Sequence, residues 1–135
     1  MNDDWEPFEM KRMIMLGAAA SVLFLASAPA MAAGDAAAGE KVFRRSCMAC
    51  HSATKDGPKR LGPTMFGVVG RKSGSVEGFR YSEANKKSNV TWTPEALDKY
   101  LADPKGMIPG TTMAFAGLKK DSDRADLVAY LETLK

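Results

Sequence analysis

"CMACHSATKDGPKRLGP", residues 47–63, holds both cysteines of the chain and its only histidine, His51. All the sulfhydryls and the sole imidazole lie within five residues, as Cys47-x-x-Cys50-His51. Four chemistries use such a cluster. A zinc site needs four ligands, and the chain has no third Cys and no second His. A thioredoxin-like dithiol needs a βαβ pattern around it, and no such strands are legible here. A structural disulfide across so short a loop would close little chain and stabilise little.

The remaining reading is covalent attachment of a c-type haem, with Cys47 and Cys50 bonded to the porphyrin vinyl groups and His51 on the iron. Two thioethers on one short turn pin the edge of the macrocycle and carry the adjacent imidazole under the ring. The iron then needs a sixth ligand or an open position, since open iron binds gases or peroxide and closed iron shuttles electrons. Beyond residue 33 the chain has four methionines, Met48, Met65, Met107 and Met113. Met48 lies inside the attachment turn, and Met65 follows too soon after His51 to cross the ring. Met113 sits in "IPGTTMAF", a Pro-Gly turn far enough along the chain to reach the opposite face. It is favoured over Met107, which is read as packing.

The flanking sequence divides at about residue 33. Residues 10–33, "MKRMIMLGAAASVLFLASAPAMAA", place Lys11 and Arg12 before an apolar run, then Pro29 and small residues. That is the layout of a secretory signal peptide, with Ala30-Met31-Ala32 as an A-x-A cut site. The preceding "MNDDWEPFE" is acidic, wrong for the front of a signal, and Met10 is the better start. Residues 1–33 are therefore expected to be an N-terminal extension with a cleavable signal, and 34–135 the functional domain. The expected location is the periplasm. The alternative is an uncleaved segment that spans the bilayer and tethers the domain. The exported part has 17 Lys and Arg against 12 Asp and Glu, a formal +5. This balance is too dispersed for nucleic acid but enough to steer toward an acidic protein surface.

The local patterns predict an all-α domain. Residues 35–47 are Ala-rich with Asp35 as N-cap and Val42-Phe43 on one face. Thr93-Pro94-Glu95 gives an N-cap, an N1 proline and an early acid, opening a helix to about Ala102. Asp103-Pro104 begins a short turn. Asp121-Ser122-Asp123 opens a last helix with Leu127, Val128, Leu131 and Leu134 as its apolar stripe. Residues 52–80 are rich in Gly, Pro, Lys and Ser, which is loop chemistry. Such a long loop is foreign to a compact domain unless it wraps something, and a haem supplies that something. About a hundred residues with long loops make a thin core, so the chain without haem is expected to be largely unfolded.

Beyond the attachment motif, the chain resembles class I cytochromes c, in the subgroup shared by mitochondrial cytochrome c and its bacterial c-two type relatives. The resemblance runs from about Gly39 to Leu134. It rests on "GEKVFRRSCMACH", "LGPTMFGVVGRKSG", "YSEANKKSNVTW", "YLADPKGMIPGTTMAF" and "RADLVAYL", in the family's order. It implies the small cytochrome c fold, helices and long loops around one covalently attached haem c. It implies that the Pro63 carbonyl accepts the free N–H of His51, orienting the ligand. Tyr81, Trp92 and Arg71 are implied at the haem propionates, with Thr111 supporting one of them. Asn85 is implied in a buried water network and Tyr100 beside the Met113 sulfur. Phe43, Leu127 and Tyr130 are implied at the crossing of the first and last helices, where they would pack with or without a cofactor. Trp92 could equally be an ordinary core aromatic. Thr112 departs from the mitochondrial pattern, which usually has Lys there, and so removes one positive charge from the docking face.

The implied function is a soluble, monomeric one-electron carrier, cycling Fe(II) and Fe(III) without a substrate site. Its implied partners are redox proteins with acidic docking surfaces: a quinol–cytochrome c reductase as donor, and a cytochrome c oxidase or photosynthetic reaction centre as acceptor. A gas sensor or a haem peroxidase would need open iron, and a peroxidase also a distal base that the sequence lacks. The haem edge is expected to be ringed by Lys41, Arg45, Lys59, Arg60, Lys105, Lys119 and Lys120, while Lys86-Lys87 only faces solvent. N-terminal sequencing of the native protein should read a start between Met31 and Gly34. A membrane-bound product that retains residues 13–30 would show the segment to be an anchor.

Overall fold

The computed structural model describes residues 33–135. The expected signal segment and its Ala30–Ala32 cut site lie outside the described residues. Five helices follow in order: α1 (Ala36–Ser46), α2 (Glu83–Lys87), α3 (Pro94–Ala102), α4 (Pro104–Met107) and α5 (Asp121–Thr133). The only β pairing among the described residues is an isolated antiparallel bridge between Lys72 and Thr91. The fold is all-α, as the sequence patterns predict.

Local chemistry starts most of these helices. Asp35 accepts from the N–H groups of Ala37 and Ala38, which the first turn of α1 cannot pair internally. Thr93 caps Ala96 at the head of α3, with Pro94 in the first turn where its missing N–H costs nothing. Asp103 ends α3 and also caps Gly106 in α4, so one residue turns the chain between two helices. The Asp121-Ser122-Asp123 stretch opens α5, as expected. The N-cap is Lys120, with no side-chain cap bond, and the acids sit inside the first turn, where they favour the positive end of the helix dipole. The short helix α2 has no counterpart among the patterns read from the sequence. Ser82 caps it by accepting from Asn85 N–H and returns its own proton to Asn85 Oδ1.

Helices α1 and α5 cross at close range. Gly39 lies against the Asp126 carbonyl with no room for even a methyl group, so glycine is what lets the two backbones approach. Beside it, Asp35 N–H donates to Asp126 Oδ1 at 2.8 Å, and the rings of Phe43 and Tyr130 meet at 5.5 Å. Val42 and Phe43 of α1 are buried there with Leu127, Val128 and Leu131 of α5. Leu134, expected on the same stripe, is half-buried beyond the helix end, and its carbonyl accepts from Gly67 N–H. Helix α3 contributes Leu97, Tyr100 and Leu101 on an i, i+3, i+4 face. Residues 52–82 form no helix and arch from the end of α1 to the start of α2.

Candidate functional site

The arch and the helices enclose a cavity of about 450 Å³, within the range of roughly 300–1,000 Å³ typical of ligand and cofactor sites. Every candidate site residue expected from the sequence lines it: Cys47, Cys50, His51, Pro63, Arg71, Tyr81, Asn85, Trp92, Tyr100, Thr111 and Met113. Met107 and Met48 do not, and Met48 is 45% exposed.

One wall is built by the segment that follows α1. Cys47 is the C-cap of α1, and the Cys50 and His51 N–H groups both return to its carbonyl, making a tight turn. Gly62 N–H donates to the Cys50 carbonyl at 2.7 Å, folding the chain back over the histidine. His51 Nδ1 lies 2.8 Å from the Pro63 carbonyl. A carbonyl only accepts, so Nδ1 carries the proton and Nε2 keeps its lone pair for a metal. Burial lowers the His51 pKa, partly offset by the Pro63 bond, which keeps the imidazole in its neutral, metal-binding form. Gly62 is packed so tightly on the imidazole that a side chain there would strike the ring. Cys47 and Cys50 are not joined in a disulfide. Burial, and then the nearby Cys50, push the Cys47 pKa up to about 11.

A second part of the lining comes from α3 and the loop after α4. Tyr100 shares a hydrogen bond with Thr111 Oγ1 at 3.1 Å, and Thr111 Oγ1 accepts from Met113 N–H at 3.4 Å. Met113 is thus tied to the wall that carries Tyr100. Met65 also lines the cavity, a position the sequence reading did not assign. Its N–H bonds the Ser52 carbonyl at 2.8 Å, which joins it to the His51 side. Phe79, Phe115 and Leu61 complete the apolar lining. Of these, Phe79 had a legible signal, two residues from Tyr81, and the two rings meet edge to face at 4.7 Å.

Polar groups gather at the margin. Arg71 donates to the carbonyls of Thr64 at 2.7 Å and Phe66 at 2.9 Å, so much of its guanidinium fastens the arch itself. Tyr81 accepts from Val76 N–H at 3.4 Å. Burial raises the Tyr81 pKa, countered by that bond and by Arg71, so the phenol keeps its proton at neutral pH. The Tyr81 O–H, the Trp92 indole N–H, Arg71 Nε and the Asn85 amide have no acceptor among the described residues. Trp92 is nevertheless 8% exposed and packs at 4.8 Å on Tyr100. Donors left open around an apolar slot suit an apolar disc with acidic substituents. A neutral imidazole, two cysteines on one turn and a thioether, all lining the same cavity, are the groups its attachment needs. The donor set fits a c-type haem.

Residues 36–135 match the family model described as Cytochrome c. The chain belongs to the cytochrome c family. It is 50% identical over 102 residues to the cytochrome c of Gibberella zeae, covering 76% of this chain and 96% of that protein. It is 61% identical over 84 residues to the cytochrome c of Trypanosoma brucei brucei, covering 62% and 90%. Over 111 residues it is 50% identical to cytochrome c2 of Blastochloris viridis, covering 82% and 86%. Like the family, the chain carries covalent haem c, and it is an electron carrier, not an enzyme.

Proposed function

We propose that Cys47 and Cys50 bond the haem, that His51 and Met113 are its axial ligands, and that the remaining lining residues hold it. When bound, the haem supplies the one-electron couple. The observation that carries this reading is that Met113 lines the cavity with His51 while Met107 does not. Pro63 fixes the imidazole tautomer. Gly62 keeps the space in which the ring stands. Tyr100 and Thr111 hold the Met113 backbone, which leaves Thr111 a positioning role beside any contact with a propionate. Arg71, Tyr81 and Trp92 face the acidic edge with donors that water would otherwise satisfy, and Asn85 adds an amide there. Phe79, Phe115 and the core aromatics exclude water from the slot. With His51 and Met113 both on the iron, the iron would have no open position for a substrate.

The finer reading is a periplasmic carrier, residues 34–135 after loss of the leader. It takes electrons from a quinol-oxidising complex and passes them to a terminal oxidase or photosynthetic reaction centre. Its docking face is the exposed basic set expected from the sequence. Lys119 donates to the Ala102 carbonyl at 3.0 Å, Lys120 stands 3.7 Å from Asp123, and Arg45 pairs with the same Asp123. Lys86 is instead tied to Glu83 at 3.0 Å within α2.

Replacing Met113 by Ala should abolish the far-red sulfur-to-iron band of the ferric protein, lower the reduction potential and admit imidazole. Met107→Ala should do none of these, and the reverse pattern would move the sixth ligand to Met107. Exposed charges are screened within about 10 Å at 0.1 M salt. Stopped-flow electron transfer to an acidic partner should therefore slow by roughly tenfold or more as salt rises. Lys119→Glu and Lys120→Glu should weaken that dependence more than Lys86→Glu and Lys87→Glu. A rate indifferent to salt, or one hurt equally by both pairs, would exclude this face.

A further inference from the structure

The loop that carries Met113 is fastened to α3 at both ends. At its front is the Tyr100–Thr111 bond. At its back, Leu118 N–H donates to the Leu101 carbonyl at 2.7 Å, and Lys119 Nζ reaches the Ala102 carbonyl. Gly117, at φ 93°, lies against that same carbonyl where no side chain would fit. The front fastening is a single pair of hydroxyls. The back one has a second support, which comes from α5.

That support is Arg124, whose side chain is 11% exposed. Its Nε donates to Asp98 on α3 at 2.7 Å, its Nη1 to the Leu118 carbonyl at 2.9 Å, and its Nη2 to Asp121 at 2.8 Å. One planar fork therefore joins α3, the Met113 loop and α5. The Asp121 leg is on the surface, at 91% exposure, and is worth little. The Asp98 and Leu118 legs are the sheltered ones, and a lysine, a single point charge, cannot make both in this geometry.

We propose that Arg124 is a positioning residue for Met113, holding Leu118 against α3 and thereby setting how readily the loop releases the sixth site. The inference rests on reading Met113 as the ligand. Release of the loop is a local opening with its own free energy, distinct from global unfolding. An external ligand binds only the opened fraction, so its apparent affinity reports that fraction. The clamp keeps the fraction small.

The test is imidazole titration of the haem-loaded ferric protein, followed in the far-red band. Arg124→Lys and Asp98→Asn should weaken the band and bind imidazole roughly fivefold to tenfold tighter than wild type, the lower part of the usual range for coupled sites. Val42→Ala supplies the control for general loosening. Val42 is 3% exposed in the α1–α5 packing and does not line the cavity. Its truncation should lower the denaturation midpoint and leave imidazole affinity unchanged. Wild-type affinity in Arg124→Lys and Asp98→Asn would overturn the proposal, and so would equal tightening in Val42→Ala. A Met113→Ala protein that kept the band would fail at a different point, the ligand reading itself.

Discussion

Phe43, Trp92, Leu97, Tyr100, Leu101 and Leu127 are buried, yet all of them face the cavity. Each packs against its neighbours in the core and also lines the cavity. That shared surface is the constraint on which the rest of the structure depends. Full burial of one large apolar side chain is worth about 1.5–3 kcal/mol. The residues that would enclose the haem are thus also the buried core of the fold.

The two walls of the slot differ in how they are made rigid. The His51 wall is held within one segment of chain, residues 47–63. A tight turn at Cys47, the Gly62 return and the Pro63 carbonyl fix the imidazole beside the two cysteines. The Met113 loop has the local Thr111 bond and is otherwise tied to other elements: Tyr100 and Leu101 on α3, and Arg124 on α5. The arch of residues 52–82 needs external fastening too, and Arg71 supplies it from within, through two carbonyls of the arch itself.

How much of this was legible in the sequence depends on how local the cause is. The Cys47–Cys50–His51 turn, the Asp35 and Thr93 caps and the apolar faces of α1, α3 and α5 follow from neighbours along the chain, and the structure has them where the residues indicate. The preference for Met113 over Met107 came from loop length and turn chemistry, and the cavity includes the first and excludes the second. What escaped was short or tertiary. Helix α2 is five residues long, too short for apolar periodicity to show, although Ser82 before Glu83 was a readable cap signal. The cap of α5 also escaped: it is Lys120, without a side-chain cap bond, while Asp121 and Asp123 lie in the first turn, paired with Arg124 and Lys120. Arg124 itself had no signal, since Asp98 and Leu118 become its neighbours only once α3 and α5 have packed.

The most direct test of the central claim is far-UV circular dichroism with guanidinium titration on the Cys47→Ala/Cys50→Ala chain, produced without haem, beside the haem-loaded protein. The apolar faces around the slot would then have nothing to close on. The account predicts a largely unfolded spectrum without a cooperative transition, against a helical, cooperatively unfolding loaded protein. A haem-free chain with native helicity and a sharp transition near the loaded protein's midpoint would contradict it, because the core would then be closing on itself.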